Sequence, residues 1–245
     1  MKPDKWVLVT GGSRGIGESV VEHLADKYNV VFTWLREEEQ ARALESECAQ
    51  FAGKVIGFRC DGTCAAQVDT LAANLLSEHG APFGIIHNAG ITRDALHFRQ
   101  TSQDWHAVIN TNLNAIFHWN QALLPAMMTK SEGSIVMMSS VSAIKGNAGQ
   151  VAYAATKAAM LGMTRSLAKE VARFNLRVNS VLPGLIETEM VQVMAEAEKK
   201  ILRKGIPMRR FGRKEEVSQV VGFLLSDGSS YITGQSLVVD GGITI

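Results

Sequence analysis

Short apolar runs alternate with helical patterns from one end of this chain to the other, and few folds accommodate that order. The runs fall at 7–10, 30–35, 55–59, 83–87, 134–139, 177–182 and 236–240. Helical periodicity lies between them, at about 16–28, 37–51, 64–79, 102–130, 152–174 and 214–226. Continuous apolar runs of this length suit strands that are covered on both faces. The alternation therefore predicts an α/β architecture: a doubly wound parallel sheet of about seven strands, with helices on both faces. No repeat, linker or low-complexity segment divides the 245 residues, so a single domain over 1–245 is expected. Ligands of open parallel sheets bind beyond the carboxyl ends of the strands. Gly11, Asp61, Asn88, Ser140 and Pro183 all stand just past such ends, which should bring them to one edge.

The first run leads directly into Thr10-Gly11-Gly12-Ser13-Arg14-Gly15-Ile16-Gly17. Glycines let a backbone turn tightly and approach a ligand. Ile16, Val20, Val21 and Leu24 then read as a helix, whose N-terminus offers free N–H groups to a pyrophosphate. Glycines at 11, 15 and 17 between strand and helix form a variant of the dinucleotide fingerprint. The second run ends Phe32-Thr33-Trp34-Leu35-Arg36, with no acid before Glu37. A free adenosine ribose is usually met by an acid at that point. Arg36, with Arg14 inside the glycine loop, suits a 2′-phosphate instead, since guanidinium binds phosphate in bidentate fashion. These residues point to NADPH; the other reading of Arg36 is a solvated start to the next helix.

Residues 153–157 read Tyr-Ala-Ala-Thr-Lys. On a helix, Tyr153 and Lys157 share one face. A cation beside a phenol favours the phenolate, so the Tyr153 pKa is expected to fall below its usual value of about 10. A tyrosine so tuned can exchange a proton with a substrate oxygen near neutral pH. Alone, the pair also suits a solvated helix. The nucleotide signal at the N-terminus gives it chemical meaning.

Charge is near balance, 25 basic against 24 acidic residues, and no basic tract suggests nucleic acid or an anionic membrane. No apolar run is long enough to span a bilayer. Residues 1–5 run straight into the first strand, so no secretion signal is expected. Cys48, Cys60 and Cys64 form no paired framework, which suits a reducing cytoplasm. The six scattered histidines have no zinc-ligand spacing, and no metal is expected.

Together the glycine loop and the Tyr-x-x-x-Lys motif resemble the short-chain dehydrogenase/reductase family, over essentially the whole chain. Asn88-Ala89-Gly90, Thr111-Asn112-Leu113 and Pro183-Gly184 add to the likeness. Within the family the chain is most similar to bacterial 3-oxoacyl-acyl-carrier-protein reductases. Gly90-Ile91-Thr92-Arg93-Asp94, Gly146-Asn147-Ala148-Gly149-Gln150, 186–190 and Tyr231-Ile232-Thr233-Gly234 carry that likeness.

The resemblance implies a Rossmann-type fold and reduction of a 3-oxoacyl thioester by NADPH. It makes Tyr153 the general acid, with Lys157 tuning it and holding the nicotinamide ribose. Ser140, thirteen residues before the tyrosine, donates to the developing alkoxide, and Asn112 interrupts a helix to position a water. Gly11, Ser13, Arg14, Gly15, Ile16, Gly17 and Arg36 are assigned to the cofactor's phosphates. Asp61 goes to the adenine, Asn88 to the ribose and the central strands, and Ile186 and Thr188 to the nicotinamide carboxamide. Gly62, Ala89, Gly90, Pro183 and Gly184 are assigned to the cofactor without a finer role. Gln150 and Phe98 are expected in the substrate pocket.

Residues 187–212 suggest a lid over an acyl chain, through Met190, Val193, Met194 and Met208, or an ordinary packed helix pair. His87 stands where many relatives carry an asparagine. Family docking positions for the acidic carrier protein align with Ser131 and Phe174; the neighbouring cations Lys130 and Arg173 are expected near the pocket entrance. The resemblance implies a homotetramer formed through 102–130, 152–174 and the last strand, and Ala154, Ala155, Ala158, Leu161 and Gly162, which surround the second helix with small or apolar groups, support it. Two other readings remain open: a 3-oxoacyl-CoA reductase, and a catalytically silent NADP(H)-binding regulator. The full set Asn112, Ser140, Tyr153 and Lys157 speaks against the second.

Overall fold

The computed structural model describes residues 3–188, 191 and 194–245. Seven strands form: β1 Trp6–Val9, β2 Asn29–Trp34, β3 Val55–Arg59, β4 Gly84–His87, β5 Gly133–Met138, β6 Leu176–Pro183 and β7 Ser236–Val239. They pair in the order β3-β2-β1-β4-β5-β6-β7, and every pairing is parallel. The helices are α1 Gly15–Leu24, α2 Glu38–Glu47, α3 Ala65–His79, α4 Ser102–Ile109, α5 Ala115–Lys130, α6 Ser142–Lys145, α7 Val151–Val171, α8 Glu196–Lys204 and α9 Lys214–Leu225.

Alternate residues of each strand serve opposite faces, as the pleat requires. Val7, Val9, Val30 and Phe32 pack under α1, α2 and α9, against Val20, Leu24, Leu44, Val217 and Val221. Trp6, Leu8, Ile85, Ile135 and Met137 pack under α3, α5 and α7, against Val68, Leu75, Trp119, Leu123 and Met160. The expected α/β sheet, covered on both faces, is the fold observed. Truncating a fully buried core side chain such as Phe32 should cost about 3–5 kcal/mol.

Strand order reverses between β1 and β4, so a crevice opens above their carboxyl ends. Several bounds differ from the sequence reading. β2 ends at Trp34 and leaves Leu35 exposed. The expected helix over 102–130 is divided. Thr101 starts α4 by accepting the Asp104 N–H at 3.0 Å, and a π-helical turn, Asn110–Asn114, separates α4 from α5. The segment after β6 makes its own small apolar cluster, Val191, Ile206 and Phe211, backed by Leu185, Met194, Leu202 and Ile243. Met190 and Val193 lie outside the described residues, while Met208 is exposed.

Candidate active site

The glycine loop lies against the β4 end of the crevice. Gly11 has φ +65, and a Cβ there would stand 2.9 Å from the Ala89 Cα. Only glycine meets both demands at no steric cost. A Cβ on Gly17 would overlap the Gly11 carbonyl oxygen at 2.2 Å, so the loop folds back over the first turn of α1. Asn88 fastens this contact. Its side-chain amide donates to the Thr10 and Gly11 carbonyls at 3.2 and 2.8 Å, and its N–H donates to Thr10 Oγ1 at 3.0 Å. Ser13 is buried within the loop, Ile16 packs on the core, and the N–H groups that open α1 at Gly15 face the crevice mouth. Thr188 arrives from the far side of the crevice: its Cγ2 would be 3.7 Å from a Cβ on Gly15.

Arg14 and Arg36 are both exposed, and neither makes an ion pair among the described residues. A third cation, which the sequence reading missed, stands beside them. Arg59 ends β3 in register with Trp34, and its Nε donates to the Leu35 carbonyl at 3.2 Å. The signal was positional: a cation closing the strand next to β2. Arg59 and Arg36 thus stand together where β3 and β2 end. Asp61 is fixed by a turn in which its Oδ1 accepts from the Thr63 N–H at 2.9 Å and the Thr63 hydroxyl at 2.7 Å. Gly62 presses on α5, where a Cβ would meet the Ala115 Cβ at 3.2 Å. Pro183 closes β6, Gly184 packs on Asp240, and Ile186 bridges to Gly212. The glycine loop, Asn88, Ala89 and Thr188 thus meet at the carboxyl ends of β1 and β4. The loop geometry, free helix N-terminus and unpaired arginines fit a nicotinamide dinucleotide.

Four residues meet where β4, β5, α5 and α7 converge. Lys157 is 3% exposed; its Nζ donates to the Met138 carbonyl at 2.7 Å and lies 5.5 Å from the Tyr153 ring centre. A Cβ on Gly90 would be 3.4 Å from both Lys157 Nζ and Asn112 Oδ1, which places all three together. Ser139 anchors α7 by donating to the Lys157 carbonyl at 2.8 Å, so it is a packing hydroxyl. Ser140 Oγ accepts from the Ser142 N–H at 3.1 Å and is hydrogen-bonded to Tyr153.

Two expectations change in detail. Burial raises the Tyr153 pKa; Ser140 lowers it and Asp94 raises it further. The expected lowering by Lys157 is absent, because Lys157 is itself desolvated and its ammonium is turned to Met138. The Asn112 side chain is also committed. Its Oδ1 accepts the Ile91 N–H at 2.8 Å, and its Nδ2 donates to the Ile91 carbonyl at 3.0 Å and to Thr156 Oγ1 at 3.1 Å. A water near Lys157 would therefore need a main-chain carbonyl left free by the π-helical turn.

Burial drives the Lys157 pKa down from 10.5 to about 8. Between those values the unfolded chain holds a proton that the folded chain sheds. The cofactor-free protein should accordingly gain up to about 3 kcal/mol from this group as pH rises from 8 to 10.5. Lys157→Met should remove that slope. Denaturant titrations of both proteins across this range check it; parallel profiles would contradict it.

The residues expected on the substrate side are held in different ways. Gln150 is occupied at both ends: its Nε2 donates to Asp94 at 2.9 Å, and its Oε1 accepts from Asn147 at 2.9 Å and Ser142 at 3.3 Å. It clamps two loops of the cleft. Phe98 is 78% exposed on a 3₁₀ turn, His97–Arg99. His87 is buried and held neutral, its pKa pushed to about 4 by burial, and it shares a 2.8 Å hydrogen bond with Asn120. Lys130 and Arg173 stand at the wrong end for this protomer's own cleft. Tyr153 lies in the first turn of α7, and Val171 ends that helix about 27 Å away, at the edge where β6 begins.

Residues 11–244 match the family model described as enoyl-(acyl carrier protein) reductase. Among relatives, the 3-oxoacyl-[acyl-carrier-protein] reductase of Thermotoga maritima is 42% identical over 241 residues, 98% of each chain. The enzyme of the same name from Chlamydia trachomatis is 39% identical over 241 residues, 98% of this chain and 97% of the relative. That from Pseudomonas aeruginosa is 40% identical over 243 residues, with the same two coverages. With a matching family model over nearly its whole length and relatives of this identity, the chain belongs to the short-chain dehydrogenase/reductase family of oxidoreductases.

Proposed function

We propose that this protein reduces 3-oxoacyl thioesters on an acyl carrier protein to 3-hydroxyacyl thioesters, with NADPH as reductant. The observation that carries the reading is the meeting of Ser140, Tyr153 and Lys157 beside a nucleotide crevice, in a chain matched end to end by relatives bearing that activity's name. The nicotinamide supplies the hydride; the chain orients the thioester and supplies the proton. A raised tyrosine pKa keeps Tyr153 protonated at neutral pH, the state a proton donor needs. Ser140, oriented by the Ser142 N–H, gives its own hydrogen to the carbonyl oxygen as negative charge develops there. Lys157, held by the Met138 carbonyl, would offer its remaining N–H groups to the nicotinamide ribose.

The family model's description favours a second reading, reduction of a 2-enoyl thioester. Two hydroxyls converging on one oxygen suit a carbonyl better. NADPH oxidation should be rapid with carrier-bound acetoacetate, slower with acetoacetyl-CoA, and negligible with crotonyl thioesters. A crotonyl rate equal to the acetoacetyl rate would overturn the assignment.

We also read the chain as a cytoplasmic homotetramer. Among the described residues no helix is long and apolar enough to cross a membrane. β7 is an edge strand with Val238 exposed; α5 exposes Phe117 and α7 exposes Val151. Covering these surfaces would also cover an open sheet edge. Light scattering at micromolar concentration should give four chains per particle; a monomer would contradict it. Residues 187–212 are read as the segment that closes over the bound acyl chain.

A further inference from the structure

Residues 196–214 hold eight cations and two acids, Glu196 and Glu198. The chain as a whole is only +1, so the remainder is net acidic. Four of the eight are ion-paired: Lys199 and Arg203 with Glu196, Arg210 with Glu216, and Lys214 with Glu18. The other four, Lys200, Lys204, Arg209 and Arg213, make no ion pair among the described residues, and all are exposed. Lys200 and Lys204 share one face of α8, with Ile201 beside them 70% exposed. Arg209 adopts the left-handed region, φ 58, and its guanidinium donates to the Lys204 carbonyl at the end of that helix. Met208, next to it, is 59% exposed. Two apolar tips are thus set among four free cations.

This surface is tied to the active edge of the sheet. The Gly212 N–H donates to the Leu185 carbonyl at 2.9 Å, and the Glu187 N–H donates to Gly212 at 2.7 Å, one residue before Thr188. The Met208 N–H donates to the Gly241 carbonyl, just beyond β7, at 3.1 Å. A partner seated here stands at the rim of the crevice, whereas Lys130 and Arg173 lie at the opposite edge of the same protomer. An extended polyanion would meet the net acidic remainder of the chain, so a compact acidic protein is the better match.

We propose that the acidic carrier protein docks on the surface formed by Lys200, Ile201, Lys204, Met208, Arg209 and Arg213, and from there delivers its thioester to the crevice of the same protomer. The proposal rests on the carrier-dependent reduction proposed above. The test compares the acetoacetyl thioester of a bacterial acyl carrier protein with the uncharged acetoacetyl-pantetheine thioester. Lys200→Glu with Lys204→Glu and Arg213→Glu should raise KM for the carrier substrate at least tenfold, with less than a twofold change on pantetheine. The milder Lys200→Gln with Lys204→Gln should show a smaller defect in the same direction, and added salt should narrow the gap from wild type. Lys130→Glu with Arg173→Glu should leave carrier turnover near wild type. Equal losses on both substrates, or a carrier defect confined to the Lys130 and Arg173 variant, overturns the docking surface. A wild type that reduces pantetheine but gains nothing from the carrier overturns carrier delivery and leaves the reduction standing. Tighter binding to anionic vesicles than to the carrier, lost in the charge-reversed protein, assigns the patch to a membrane and also overturns the proposal.

Discussion

Tyr153→Phe should lower kcat on acetoacetyl thioesters by about 10²–10⁴, the usual cost of removing a general acid. The effect should be large because no other acid stands ready at that place. Ser140 is hydrogen-bonded to the Tyr153 phenol, and an alcohol is too weak an acid to donate a proton outright. Lys157 is turned to Met138 and lies 5.5 Å from the ring centre. NADPH binding should hardly change, since the phenylalanine ring fills the same space and the phosphate contacts lie elsewhere. Fluorescence titration of NADPH together with steady-state kinetics separates the two effects. A variant that reduces acetoacetyl substrates at close to the parental rate would remove Tyr153 from the chemistry.

The second large effect concerns the cofactor. Arg14→Ala with Arg36→Ala should weaken NADPH binding by about 10- to 100-fold and leave NADH binding nearly unchanged. Each charge-assisted contact to a phosphate is worth about 1.5–3 kcal/mol at most, and exposure on both side chains pulls the sum toward the lower end. Adding Arg59→Ala should widen the gap between the two cofactors further, because its guanidinium borders the same edge. Equal weakening of both cofactors, or a parental preference for NADH, would refute the reading built on the absent acid after β2.

Much of this was legible in the sequence because parallel sheets are unusually explicit. Strands such as Val7–Val9 and Ile85–Ile86 are apolar on both faces, and helices of opposite faces alternate between them. Their carboxyl ends then had to share an edge, which brought Gly11, Asn88, Ser140 and Pro183 together without further information. The resemblance gave the interruption at Asn112, but not its π-helical form over Asn110–Asn114, since apolar spacing carries no hydrogen-bond register. The protonation of Tyr153 was misjudged for a related reason. Spacing gives the proximity of Lys157, while the direction of its ammonium depends on a carbonyl at Met138, nineteen residues away. Gln150 looked free because its partners, Asp94 and Asn147, come from two different loops. Lys130 and Arg173 looked close to the entrance because helix direction relative to the sheet is a tertiary property.

Transfer of deuterium tests the central claim most directly. The enzyme is given NADPH deuterated at the transferable C4 position and acetoacetyl-carrier protein, and the product thioester is read by mass spectrometry. The account predicts a 3-hydroxybutyryl carrier with a single deuterium on C3, formed by wild type and almost absent with Tyr153→Phe. An unlabelled hydroxyacyl product, or NADPH consumption without any hydroxyacyl product, would contradict it.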